Sequence, residues 1–199
     1  KIAGGNPFPE REIKTAGEIS LIRKAQIAAC RGMERAVNMI AGAKIKKSYL
    51  YENGRKLTSE RLREVIFQTL LKDECTAKEI IVAGGPQAAD PHCTGSGPIK
   101  AGETIVMDIF PRHRDSGYWG DLTRTVCRGR PPEKWIKIYD AVLKAQQAAL
   151  SAVKPGNDSG APHEAAVETF KKLGMETDLS GKKPKGFIHG TGHGVGLEI

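Results

Sequence analysis

Two consecutive strand-like segments, 104–110 and 118–127, each carry one aspartate near the middle. The residues around Asp108 are largely apolar, and an acid in such a run costs free energy unless it is paired or bound to a metal. The turn-like stretch 112–117 lies between the two segments, and this order predicts a β-hairpin. Asp121 lies as far after the centre of that turn as Asp108 lies before it, so we expect the two side chains opposite each other on one face.

Two carboxylates placed in this way repel each other, because like charges directly opposite in a sheet are destabilising. A cation between them would remove the repulsion, so Asp108 and Asp121 are candidate metal ligands. Two alternatives stay open from the spacing alone. One acid would pair with Arg124 or Arg128, or a bulge would shift the register of the hairpin.

Histidines in two other places are further candidates. The run 189–196 contains four glycines, which argue against a helix and therefore against a zinc motif with two histidines on one helical face. We expect a glycine-lined strand or bend that points His189, His193 or both into a site, with a purely structural role as the alternative. His92 follows turn-forming residues on a loop, where it would bind substrate or transfer protons.

The order of the remaining elements predicts an α+β fold. We expect an extended leader over 1–12 because of Pro7 and Pro9, and a glycine-rich strand or bend at the end of the chain. Apolar periodicity and turn signals predict the other elements as helices at about 12–41, 59–74, 133–153 and 161–173, and as strands at 79–83, 104–110 and 118–127.

Composition narrows the class of protein. Lysine and arginine exceed the acids by eight, but the basic runs 44–47 and 182–185 are interpreted as solvated loops, and no nucleic acid is expected as a partner. No apolar run approaches the length of a membrane helix and no signal peptide is visible, so no membrane association is expected. The four cysteines lack metal-like spacing, and scattered thiols are typical of a reducing compartment, which favours the cytoplasm.

Taken together, these motifs resemble the pita-bread metallopeptidase family, which includes methionine aminopeptidase, aminopeptidase P and prolidase. Residues 11–19 look like the first helix of the catalytic domain in the proline-specific branch. The similarity continues through Asp108 and 120–125 and ends in 189–199. The resemblance implies a pita-bread fold, in which helices flank an antiparallel sheet.

The resemblance also implies roles for single residues. Asp108 would bind the first of two metal ions through both oxygens, Asp121 would bridge both ions, and His193 would bind the second. His92 and His189 would be the catalytic, substrate-contacting histidines. The metals would be two divalent ions, with manganese favoured and cobalt, zinc or iron as alternatives.

The sequence Asp-Leu-Thr-Arg-Thr at 121–125 resembles the proline-specific branch, and Arg124 would be a structural or gating partner of the metal-site acids. The implied activity is hydrolysis of an N-terminal Xaa-Pro bond by an aminopeptidase or dipeptidase acting on peptide substrates. The alternatives are methionine aminopeptidase and a catalytically inactive binding module on the same fold. Homo-oligomers are common among the enzymes that the chain resembles.

The chain departs from the family pattern in two ways. Asp108 and Asp121 are thirteen positions apart, which lengthens the hairpin, so its tip at His113 and Arg114 would touch substrate or a partner subunit. A further histidine ligand and two glutamate ligands are expected after Ile199. We therefore expect 13–199 to be part of a catalytic domain, inactive by itself, and 1–12 to be a leader or linker from an N-terminal domain.

Overall fold

A computed structural model describes residues 8–180 and 185–199. Within these residues the chain forms two compact units. One consists of the described residues up to Pro131 together with Gly194–Ile199, and the other is Pro132–His193. Helices and antiparallel strands both occur, which confirms the predicted α+β class.

Helix α1, Ala16–Gly42, starts at a capping box. The Thr15 hydroxyl accepts from the backbone N–H of Glu18, and the Glu18 carboxylate accepts from the backbone N–H of Thr15 at 2.8 Å. This reciprocal pair fixes the start of the helix four residues later than the apolar pattern predicts. The buried face of α1 consists largely of small residues, which lets neighbouring elements approach its backbone closely.

Helix α2, Ser59–Lys72, begins after Thr58, whose hydroxyl accepts from the backbone N–H of Arg61. Its apolar face contributes Leu62, Ile66 and Leu70 to the core of the first unit, as the sequence predicts. Helices α1 and α2 pack against each other at Gly32, where an added Cβ would lie 3.2 Å from a methyl group of Ile66.

A small antiparallel sheet between the two helices was not predicted. It consists of β1 (Lys44–Lys46), β2 (Tyr49–Glu52) and β3 (Arg55–Lys56). Asn53 and Gly54 form the turn between β2 and β3, and both adopt positive φ. An Asn-Gly pair is the strongest short-range sequence signal for a hairpin. The lysines of β1 are exposed as expected, but they lie on a strand instead of a loop.

A three-stranded antiparallel sheet carries the predicted hairpin. Its strands are β5 (Ile80–Gly84), β6 (Thr104–Ile109) and β8 (Leu122–Cys127), with β6 in the centre. Two short strands, β4 (Cys75–Thr76) and β7 (Arg112–His113), form a separate antiparallel pair. Strand β7 falls within the stretch predicted as a simple turn, so the connection between β6 and β8 is tied to a different part of the chain.

Alternation along β6 separates the core from the candidate site. Ile105, Met107 and Ile109 are fully buried in the same cluster as residues of α1 and α2. Asp108 is half-buried and, by strand alternation, points to the opposite face of the sheet. The strand thus holds the acid in place through its buried neighbours without placing it in the apolar core.

The second unit contains α3, Glu133–Ala152, and α4, Ala161–Lys172, as predicted to within one residue at each end. Alanines pack the two helices closely, and the aromatic rings of Phe170 and Phe187 cover them. Among the described helices of both units, none combines the length and apolar character that crossing a membrane requires.

The structure differs from expectation at the start of the described residues and decides between two expectations at residues 187–199. A 3-10 helix at Pro9–Arg11 interrupts the predicted extended leader, and the part of that leader before Phe8 lies outside the described residues. The final segment, 187–199, consists of bends without a strand, so of the two predicted conformations the bend is correct. Lys182 and Lys183 of the second basic run also lie outside the described residues.

Candidate functional site

The two candidate metal ligands lie on one face of the sheet formed by β5, β6 and β8, but not directly opposite each other. The ladder between β6 and β8 pairs Asp108 with Thr123 and Ile109 with Leu122. The predicted register is therefore wrong by two residues, because the turn is centred between Asp115 and Ser116, one position later than predicted. The backbone N–H of His113 accordingly donates to the carbonyl of Tyr118 at 2.9 Å. Because side chains alternate with a period of two, a register shift of two residues keeps Asp121 on the same face as Asp108. The two acids are then diagonal neighbours, which lie about 7–8 Å apart in an antiparallel pair.

Asp108 receives a hydrogen bond from across the strand. The hydroxyl of Thr123 donates to Oδ1 of Asp108 at 2.5 Å. A hydrogen bond to an ionised carboxylate is stronger than one between neutral groups, and it fixes the orientation of the acid. Sequence reasoning missed Thr123, although its position two residues after Asp121 places both on the same face.

Asp121 precedes β8 by one residue and is attached to α1. Its backbone N–H donates to Oε1 of Gln26 at 2.9 Å, and Nε2 of Gln26 donates to its carbonyl oxygen at 2.9 Å. Gly120 lies so close to the same helix that an added Cβ would be 2.6 Å from the backbone nitrogen of Gln26. No sequence signal predicts this contact, because Gln26 and Asp121 are 95 positions apart.

The segment before Asp121 is fastened at two further points of the first unit. The hydroxyl of Tyr118 donates to Oε1 of Glu18 at 2.8 Å. The backbone N–H of Thr15 is the main reason that the pKa of Glu18 is lowered, and the hydroxyls of Thr15 and Tyr118 add to the effect. Trp119 donates through its backbone N–H to the carbonyl of Gly196 at 2.8 Å and through its indole N–H to that of Leu197 at 3.1 Å.

His92 lies on an exposed loop that follows β5. Its backbone N–H donates to Oδ1 of Asp90 at 2.9 Å, which forms a tight turn. Farther along the loop, the guanidinium of Arg63 donates to the carbonyls of Thr94 and Gly95 at 2.5 and 2.7 Å. The loop is thus anchored by Arg63 on the side that follows His92, and His92 itself is exposed on the first unit.

His189 and His193 belong to the second unit, in which the glycine-rich segment is held by its flanking residues. Thr177 Oγ1 accepts from the backbone N–H of Phe187 at 3.0 Å, and the Phe187 ring packs against that of His163 in a tilted arrangement with centroids 5.4 Å apart. Between the two candidate histidines, Thr191 Oγ1 lies 2.9 Å from Nδ1 of His163. Sequence reasoning did not single out His163.

Arg124 follows Asp121 by three positions and, by alternation, lies on the other face of β8. Its guanidinium donates to the carbonyl oxygen of Thr123 at 2.7 Å. This bond joins two adjacent residues and is local to β8. The gating role expected for Arg124 remains a prediction.

The donor chemistry of the first unit fits a hard or borderline divalent cation. Asp108 and Asp121 offer carboxylate oxygens on a shared, half-buried face, and such ions prefer oxygen ligands. Within the described part of the first unit, no third histidine, cysteine, aspartate or glutamate completes a cage around these two.

Comparison with known proteins is consistent with this arrangement. Residues 20–199 match the model of metallopeptidase family M24. The chain is 32% identical over 190 residues to the Xaa-Pro dipeptidase of Pyrococcus furiosus. The aligned residues make up 95% of this chain and 49% of that protein. It therefore spans about half the length of the curated relatives it matches.

Solved structures show the same relationship. The prolidase from Pyrococcus furiosus superposes with a TM-score of 0.79 at 32% identity, covering 96% of this chain and 50% of that one. The X-Pro aminopeptidase from Thermotoga maritima superposes with a TM-score of 0.77 at 26% identity, covering 96% and 48%. The fold is that of the pita-bread peptidases, and metallopeptidases of this family use divalent metal ions. With its family model matched from Ser20 to the last residue, the chain belongs to metallopeptidase family M24.

Proposed function

We propose that this chain forms part of the catalytic domain, over 13–199, of a metal-dependent exopeptidase that hydrolyses N-terminal Xaa-Pro bonds. The observation that carries the proposal is the pair Asp108 and Asp121 on one sheet face, in a chain of family M24. The names of the relatives, Xaa-Pro dipeptidase and X-Pro aminopeptidase, support the choice of substrate. The Asp-Leu-Thr-Arg-Thr sequence at 121–125 supports the same choice.

In this proposal Asp108, Asp121 and His193 hold two divalent ions, with manganese as the favoured metal. When bound, the ions supply Lewis-acid activation of the scissile carbonyl and of water. Thr123 holds the carboxylate of Asp108 in one orientation through its hydroxyl. The two acids are positioned by different devices, one by a cross-strand hydroxyl and the other by the backbone contact to α1.

His92 and His189 act on the peptide side of the reaction. The anchored loop presents the imidazole of His92 at the surface, where it donates to a substrate carbonyl or moves a proton. His189 contacts substrate from the glycine-rich segment, where the absence of side chains at Gly190 and Gly192 leaves space for a peptide. Arg124 is part of the proposal as a structural partner of the metal-site acids.

We assign the activity to the cytoplasm, because all four cysteines are free thiols at scattered positions. The substrate is a peptide, and self-association of the intact protein is part of the proposal. Nucleic acid and membrane partners are not.

The test uses the intact protein loaded with manganese and three substrates: a Xaa-Pro dipeptide, a longer peptide that begins Xaa-Pro, and a Met-Ala peptide. We expect cleavage of the first or second substrate, and its loss in Asp108→Asn. Asp115→Asn is the matched control, since Asp115 is an exposed acid on the same hairpin that pairs with Arg114. Preferential cleavage of the Met-Ala peptide, or no turnover by folded, metal-loaded protein, would refute the proposal.

A further inference from the structure

The side-chain amide of Gln26 completes the strand at Asp121. Asp121 lies one residue before β8, in the register of the β6–β8 ladder, which continues on its other side where the backbone N–H of Gly120 donates to the carbonyl of Pro111 at 2.9 Å. By the alternation of an antiparallel pair, the backbone N–H and carbonyl of Asp121 itself face away from β6. At Asp121, Gln26 supplies an acceptor to the backbone N–H and a donor to the backbone carbonyl, both at 2.9 Å. These are the two bonds that a neighbouring strand makes to a hydrogen-bonded residue of an antiparallel pair. A helix side chain thus takes the place of a strand at this position.

The contact leaves the Asp121 backbone little room to move. Residue 120 packs on the backbone of α1, where an added Cβ would lie 2.6 Å from the Ala25 carbonyl carbon. The helix backbone therefore blocks movement towards α1, and the two hydrogen bonds of Gln26 oppose movement away from it. The Cα of Asp121, from which its carboxylate projects, is fixed from both directions.

We propose that Gln26 is a positioning residue for the metal ligand Asp121 and that it sets the affinity of the site for its divalent ion. The proposal rests on the proposed function, because it requires Asp121 to bind metal. Its physical basis is that a ligand must be held within about 0.5 Å of its productive position to keep full affinity. Neither Asp108 nor Thr123 takes part in this contact, so the effect is specific to Asp121.

The chain contains a second contact of the same kind, which provides a matched control. Oε1 of Gln87 accepts from the backbone N–H of Ser96 at 2.9 Å, and Nε2 of Gln87 donates to the carbonyl of Ser96 at 3.1 Å. Gln87 thus makes the same pair of bonds to a backbone that carries no proposed metal ligand. Removing the side chain of Gln87 therefore measures what such a pair of bonds contributes to folding, without an effect on a proposed metal ligand.

The experiment measures manganese affinity of the intact protein by electron paramagnetic resonance of free Mn²⁺, without any substrate. We expect Gln26→Ala to weaken binding about tenfold, the scale of effects at residues that orient metal ligands. Gln87→Ala should bind as the unaltered protein does. In the cobalt-loaded protein, Gln26→Ala should change the visible absorption bands, and Gln87→Ala should leave them unchanged. Gln26→Glu keeps the acceptor for the Asp121 N–H and should lose less affinity than Gln26→Ala.

Unchanged affinity in Gln26→Ala, or equal losses in Gln26→Ala and Gln87→Ala, would overturn the proposal. If Gln26→Ala does not fold, Gln26→Glu compared with Gln87→Glu decides by the same criterion. Asp121→Asn is measured in parallel to separate the two proposals. If Asp121→Asn abolishes tight binding and the Gln26 variants do not weaken it, only the role of Gln26 is refuted. If Asp121→Asn binds normally, the metal assignment and the role of Gln26 both fall.

Discussion

Gly120 and Ala25 touch through their backbones: a Cβ added at residue 120 would lie 2.6 Å from the carbonyl carbon of Ala25. The obstacle is a helix backbone, which cannot rotate aside as a side chain would. We expect Gly120→Ala to lower the free energy of unfolding by about 1–3 kcal/mol, the usual cost of overpacking. Urea denaturation measures the change.

The control for this substitution is Gly42→Ala at the end of α1, where an added Cβ meets no atom within 4 Å. Alanine is the better helix former, so this variant should be as stable as the unaltered protein or slightly more stable. Equal destabilisation by both substitutions would show that the close approach at Gly120 is not the cause.

Thr123→Val removes the hydroxyl that donates to Asp108 while keeping the branched shape of the side chain. We expect manganese affinity to fall about tenfold, because the carboxylate loses the group that orients it. Isothermal titration calorimetry measures the affinity, and Thr123→Ser should restore most of it. Thr125→Val, two residues along the same face of β8, should have no effect. Equal affinities in the two valine variants would contradict the role given to Thr123.

His92→Asn keeps a polar side chain on the same loop but removes the imidazole. If His92 donates to substrate or moves a proton, kcat/KM for a Xaa-Pro substrate should fall by about 100-fold or more. Manganese affinity should stay the same, because the proposal places no metal on His92. A variant that loses metal along with activity would indicate that His92 is a ligand.

The thiol of Cys75 should resist modification in the folded protein. Burial is the main reason that its pKa rises to about 11, and the carboxylates of Asp73 and Glu74 add to the effect. At pH 8 the thiolate that reacts with disulfide reagents is therefore scarce at Cys75, and access is blocked as well. Exposed Cys30 should react first, and Cys30→Ser should remove this fast phase. Fast labelling of Cys75 in native protein would contradict the structure.

The start of α1 should lose stability in acid. The pKa of Glu18 is lowered in the folded chain, chiefly by the backbone N–H of Thr15, so the ionised form favours folding. This contribution is complete above the unfolded-state pKa of about 4.3 and disappears as the pH falls through the lower folded-state value. The melting temperature of Glu18→Gln should therefore lie below that of the unaltered protein at pH 7 and approach it in acid. A difference that is constant with pH would show that ionisation is not involved.

Local signals predicted the four α-helices and the three strands β5, β6 and β8, because each of these depends on residues close in sequence. Thr58 caps α2, and the apolar residues that pack the helix into the core follow within the same short stretch of sequence. The register of β6 and β8 was not predictable in this way, because the turn-forming residues at 112–117 do not fix the centre of the turn, and moving that centre by one residue shifts the pairing by two. The contact of Gln26 with Asp121 depends on the packing of α1 against the sheet, which no short stretch encodes.

The two-residue offset between Asp108 and Asp121 limits how the distance between the two acids can change. Leu122 and Val126 pack against the core, so a slip of one residue would expose them and turn Asp121 inward. Only slips of two residues, about 6.8 Å along the strand, keep the apolar side chains on the core face. A change of register can therefore alter the spacing of the two acids only in steps of two residues, and each step is longer than a metal–ligand bond. Finer adjustment is left to side-chain length and to the groups that hold each carboxylate.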